Sequence, residues 1–125
     1  MSESKDFRVL TLHHDGFTLN NAIQLQANPE GPGGASHLYV AQIDGVEVTR
    51  IQFQCGGRNE EGSVSGVTDR VLLAIVLDRM LCFNKGKFGS RLNALAATAI
   101  EQAMLWLHAR TMERASRGVL GKAQA

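Results

Sequence analysis

Short β-patterned runs punctuated by Gly- and Pro-rich stretches fill the front half of the chain, and a helical period sets in behind position 66. Phe7 to His13 reads Phe-Arg-Val-Leu-Thr-Leu-His, which predicts a half-buried strand. Gly16 interrupts the run, and Phe17 to Gln26 reads as a second strand with a polar Asn20-Asn21 centre. Asn28 to Ser36 holds both prolines and three glycines and is a loop. Leu38, Val40 and Ile43 precede Asp44-Gly45, and Val46, Val48, Ile51 and Phe53 follow it. Asp-Gly between two β-rich runs favours a type I′ turn, whose two central residues both need positive φ. His37 to Gln54 is therefore a β-hairpin, and the front half a small antiparallel sheet.

Cys55 to Gly66 is Gly-rich and polar, a connector. Thr68 then stands where an N-cap belongs, with Asp69 favourably placed at the positive end of a helix dipole. From Val71 to Phe83 the sequence is apolar nearly all round, so such a helix needs cover on more than one side. Asn84 to Gly89 is a turn with two glycines and two lysines. Ser90 is the cap of a longer helix running to about Arg117 and closed by Gly118. Small residues fill its start, Ala94 to Ala99, and bulky ones its middle, Met104 to Leu107. Two helices on so short a connection are antiparallel. The fold class is α+β, with an antiparallel β lobe over residues 1–65 and a helical hairpin over 66–125, frayed from Lys122 to Ala125. A four-strand sheet and two helices bury little core, and the first helix has almost no solvent face. Self-association through the hairpin is therefore expected.

Composition bounds the function. The 125 residues are 44% apolar and 20% charged, an ordinary globular balance. A net charge of +1 speaks against a sequence-blind DNA binder. No apolar run approaches the roughly 20 residues of a membrane span. The first residues are acidic and lack the apolar core of a signal peptide, so the chain reads as cytosolic. Charge is unevenly spread, however. Residues 1–57 carry three cations and six anions, residues 58–125 ten cations and six anions, so a bound anion belongs to the second half.

Catalytic constellations are poor. His13-His14 has no Cys or carboxylate at metal spacing and reads as a solvated turn. Cys55 and Cys82 form neither a disulfide framework nor a metal motif, and Cys82, on an apolar helix, reads as a buried thiol. Cys55-Gly56-Gly57-Arg58 lacks the Lys-Ser/Thr pair of a phosphate loop. His108 reads as a packed or surface histidine. Asp78 and Glu101 read either as a buried acid pair or as partners of Arg70, Arg79 or a second chain. No metal or cofactor is implied.

Anion binding is better supported. Arg110, Arg114 and Arg117 are spaced i, i+4, i+7 and share one helix face, where arginine forks match phosphate oxygens or form a solvated face relieved by Glu113. At the bend lie Phe83, Lys85, Lys87, Phe88, Arg91 and Asn93. They offer rings for stacking, cations for phosphate and an amide for a base edge, although the phenylalanines serve equally as plugs under the turn. Asn93 and Arg110 are 17 residues apart on one helix, about 25 Å at 1.5 Å per residue. One nucleotide cannot touch both within one chain. If the clusters form one pocket, two antiparallel hairpins related by a two-fold axis supply it, twice over.

Gly66-Val67-Thr68-Asp69, Leu72 to Arg79, Ser90 to Ala96 and Trp106 to Thr111 together resemble the phage Thoeris anti-defence sponge proteins of the first type, whose helical hairpin is shared with anti-CBASS sponges. The resemblance runs from about Phe17 to Gly121. It implies a protein that sequesters immune signal nucleotides in the host cytoplasm without breaking them, as a homodimer or as a hexamer built from dimers. The implied ligands are cyclic ADP-ribose isomers, glycocyclic ADP-ribose among them, and cyclic di- or trinucleotides. The implied positions are Arg58, Phe83, Asn93, Arg110 and Arg114 for the ADP-ribose ligand, with Arg91 a candidate for a separate cyclic-oligonucleotide pocket. Two other readings stay open: a cyclic-nucleotide hydrolase, and a protein-interaction module whose arginine face docks an acidic partner.

Overall fold

The computed structural model describes residues 6–118. Two compact units divide them, the first ending at Gly66 and the second beginning at Val67.

In the first unit, β1 (Arg8–Leu10), β2 (Gln24–Ala27), β3 (Leu38–Ile43) and β4 (Val46–Gln52) form an antiparallel sheet in sequence order. Its centre is the β2–β3 pair, where Ala27, Val40 and Ala41 are buried, and Tyr39 meets Phe53 edge-to-face at 5.5 Å. Asp44 and Gly45 carry φ of 51° and 79°, the positive pair the hairpin turn requires. Between Ala41↔Thr49 and Gln42↔Glu47 the register shifts, so Val48 is an extra residue on β4, a β-bulge. The 28–36 loop is tied down by polar groups. Asn28 Oδ1 accepts from the backbone amides of His37 and Leu38, and buried Ser36 accepts from Arg8 and donates to the Asn28 carbonyl at 2.6 Å.

Two strands are shorter than the alternation suggests. Phe7 to His13 yields only β1. Phe17 to Gln26 yields a single turn of helix, α1 (Thr18–Asn21), before β2. In the second run the asparagines are the cause. Asp15 accepts from the Phe17 amide and from Asn20 Nδ2, while Asn21 Oδ1 accepts from the amides of Asp15 and Gly16. Such side-chain bonds offer the backbone an alternative to the ladder. They also hold the Asp15 carboxyl below its ordinary pKa, the Asn20 bond contributing most.

Beyond β4 the connector is pinned at both ends. Cys55 and Val64 exchange two backbone hydrogen bonds of 2.9 Å. The Gly66 amide donates to Gln54 Oε1, and a Cβ at Gly66 would sit 2.3 Å from the Gln52 carbonyl oxygen. Only glycine fits there.

The second unit is a helical hairpin of α2 (Asp69–Lys85) and α3 (Arg91–Ser116). Its caps are the expected ones: Thr68 accepts from the Val71 amide, Ser90 accepts from the Asn93 amide, and Gly118 takes a φ of 73° past the end of α3. The more buried positions of α2 include Leu73, Leu77, Met80 and Asn84; those of α3 include Asn93, Ala97, Ile100, Met104, Leu107, Thr111 and Arg114. Both series step by four and three, the heptad seam of antiparallel packing. Ala97, at 3% exposure, is the one buried residue among the described positions of the two helices. The rest of α2 is open, with no buried residue, and Val71, Ile75, Val76 and Leu81 lie near half exposed. Lys122 to Ala125, expected to fray, lie outside the described residues, as does the end of the resemblance at Gly121.

Candidate functional site

The bend between α2 and α3 is built by side chains that stand in for missing backbone partners. Asn84 Oδ1 accepts from the Ser90 amide at 3.1 Å, and Asn93 Nδ2 donates to the Phe88 carbonyl at 2.9 Å. Gly86 and Gly89 close two tight turns, and a Cβ on Gly89 would meet the Asn84 carbonyl oxygen at 2.7 Å. On this scaffold Phe83 and Phe88 face each other at 90° with centroids 6.5 Å apart. Arg79 lies 5.4 Å over the Phe83 ring, and Lys87 lies 5.3 Å over Phe88. Both rings remain exposed, so they are not plugs under the turn. The bend thus offers two aromatic surfaces with a cation at each, an arrangement suited to a planar anionic guest.

The opposite end of α3 carries the guanidinium groups. Arg70, one residue into α2, donates to His108 Nδ1 at 3.3 Å, so α2 begins level with His108. Residues 109–116 of α3 therefore run about 12 Å further, at 1.5 Å per residue. Arg110 and Arg114 sit on this overhang, Arg114 on the seam and Arg110 beside it, exposed. Glu113 pairs with Arg117 and so relieves this cationic face.

The sequence-derived positions are thus only partly gathered. Phe83 and Asn93 share the bend, although Asn93 uses one amide hydrogen inside the protein. Arg110 and Arg114 share the overhang. The two groups lie at opposite ends of one helix and do not converge within one chain. Arg91 is exposed at the first turn of α3. Arg58 belongs to the first unit, where its guanidinium donates to the Gly66 carbonyl at 3.1 Å.

Other candidates change character. His13 is not a solvated turn residue: its Nε2 lies 2.7 Å from the Ile23 carbonyl, and its Nδ1 is buried without a partner. Cys82 is exposed rather than a buried thiol, because the seam runs through Met80 and Asn84 and leaves position 82 outside. Asp78 and Glu101 are both exposed, so they are no buried acid pair. Two features escaped the sequence. Arg79 stands four residues before Phe83, a spacing that signals the contact. A cleft of about 390 Å³ between the helices is lined by Arg70, Leu77, Glu101, Met104, Leu105 and His108, brought together only by the hairpin. Among the described residues no three His, Cys, Asp or Glu side chains could hold a metal ion, and no helix is long and apolar enough to cross a membrane.

Comparison with known proteins identifies the family of the hairpin. The family described as the Acb2/Tad1 hairpin domain matches residues 46–112, from the start of β4 through most of α3. A Bacillus phage SBSphiJ7 protein named Thoeris anti-defense 1 is 37% identical over 91 residues, 73% of this chain. The chain spans 63% of that relative's length.

Proposed function

The chain belongs to the Acb2/Tad1 hairpin family, and from that premise we propose that it is an anti-Thoeris protein of phage origin: a sponge that sequesters cyclic ADP-ribose-type signals in the host cytoplasm without degrading them. The observation that carries the reading is the separation of the two charged and aromatic clusters along α3. A C₂ pair of antiparallel hairpins sets the bend of one copy against the overhang of the other and closes two equivalent pockets. In each, Phe83 stacks on adenine and Asn93 reads a base or ribose edge with its remaining hydrogen-bonding groups. Arg110 and Arg114 of the other copy neutralise the pyrophosphate. Arg58 is a further candidate phosphate ligand. Arg91 is the candidate for a cyclic di- or trinucleotide, which would extend the action to CBASS signals. The open apolar positions of α2, with Leu105 and Trp106 on α3, favour association of copies, as a dimer or a trimer of dimers.

A sponge works by stoichiometry, so it needs tight binding; a micromolar Kd is only about −8 kcal/mol and leaves much signal free. Calorimetry with glycocyclic ADP-ribose, followed by heat denaturation and chromatography of the released ligand, tests the proposal. Sub-micromolar binding and recovery of intact ligand are expected. A chemically altered ligand would identify a hydrolase instead, and no heat of binding to any cyclic nucleotide would leave the arginine surface to a protein partner.

A further inference from the structure

The cleft between α2 and α3 is charged at its ends and apolar between them. Arg70 and His108 stand at one end and Glu101 at the other, with Leu77, Met104 and Leu105 between. Glu101 precedes His108 by seven residues on α3, about 10 Å along the axis at 1.5 Å per residue. Arg70 meets His108 Nδ1 at 3.3 Å, and the Glu101 carboxylate has no hydrogen-bond or ion-pair partner among the described residues. A cation and an anion at opposite ends of one apolar cleft form a pattern that is its own complement after a half-turn. Leu105, 68% exposed, lies near the middle of it.

Resting on the two-copy reading of the function, we propose that a second copy of this chain fills the cleft, Arg70 of each copy pairing with Glu101 of the other across a two-fold axis beside Leu105. In an isologous interface a residue that meets a second on the partner is matched by the reverse contact, so one axis supplies both ion pairs. The two Leu105 side chains meet at that axis and enter each other's clefts, which removes exposed apolar surface from water. Separate residues support the register. Halfway between Glu101 and His108, which stands level with Arg70, lies between Met104 and Leu105. Setting Asn93 of one copy against Arg110 and Arg114 of the other puts the axis between residues 101 and 104. The two positions agree to within one turn of helix. A small ion fits less well. Glu101 opposes an anion drawn to Arg70, and Arg70 opposes a cation drawn to Glu101, whereas a second copy satisfies both.

Charge reversal tests the pairing, with mass read by sedimentation equilibrium and folding by circular dichroism. Arg70→Glu sets two carboxylates at each contact and Glu101→Arg two guanidinium groups, so each variant alone should dimerise at least about tenfold more weakly than the native chain. An equimolar mixture of the two should form a mixed dimer at near-native strength, because each contact then holds one cation and one anion. Mixing repairs only a contact between chains, so it separates this pairing from one within a single chain. The doubly reversed chain, Arg70→Glu with Glu101→Arg, should dimerise unaided. A native dimer that neither reversal weakens, or a mixture no more associated than its components, overturns the inference alone. A mixed dimer that forms but binds no glycocyclic ADP-ribose leaves the pairing standing and overturns the nucleotide reading. A native chain that stays monomeric at every concentration overturns both.

Discussion

Asp15 shows how much one side chain decides. Its carboxylate accepts from the Phe17 amide and from Asn20, and this turns a run that alternates like a strand into the start of α1. Because its folded pKa is lowered, the group adds stability above its unfolded pKa, and that contribution is lost as pH falls through the folded value. NMR titration should place the Asp15 midpoint below the ordinary carboxylate value, and Asn20→Ala should move it back up. Arg110 is a different case, exposed and without an ion pair among the described residues. Truncating a desolvated Arg–phosphate contact costs on the order of 2–5 kcal/mol, so Arg110→Ala should weaken calorimetric binding of glycocyclic ADP-ribose at least thirtyfold with an unchanged melting temperature. Residue type and spacing nominate Arg110 and Phe83 as candidates, and the family resemblance supplies their proposed roles. Residue type misplaced Cys82 and His13, whose burial depends on which side of a seam or strand they fall.

At the scale of elements, caps and turns were legible where the chemistry is local. Thr68, Ser90 and Asp44-Gly45 each serve groups within three residues, and each does so in the structure. The bend was legible only as a turn. Asn84 reaches Ser90 and Asn93 reaches Phe88 across five or six residues, and no periodicity encodes such bonds. Gly89 is their geometric keystone: its φ is unexceptional, and the constraint is the Asn84 carbonyl 2.7 Å from where a Cβ would lie. Gly89→Ala should therefore cost about 1–3 kcal/mol, read as a lower melting temperature, and weaken nucleotide binding by disturbing the bend that carries Phe83 and Asn93. Ser90→Ala, which removes a cap without touching the rings, should cost about 1 kcal/mol and leave affinity nearly unchanged.

At the scale of the whole molecule, the β-patterned front and helical back announced an antiparallel sheet followed by a hairpin, and that architecture is present. What one sequence does not carry is the second copy. Helix spacing puts Phe83 and Arg110 at opposite ends of a hairpin, and everything proposed for the function follows from two copies closing that gap. Subunit complementation tests this most directly. Phe83→Ala and Arg110→Ala chains are unfolded together, refolded as a mixture and titrated with glycocyclic ADP-ribose at concentrations too low for either variant alone to bind. In a mixed dimer one pocket carries both substitutions and the other carries neither. Random pairing should then restore about a quarter of the native number of sites, at native affinity. A mixture that stays as silent as its two components would mean that the pocket lies within a single chain, and would contradict the account.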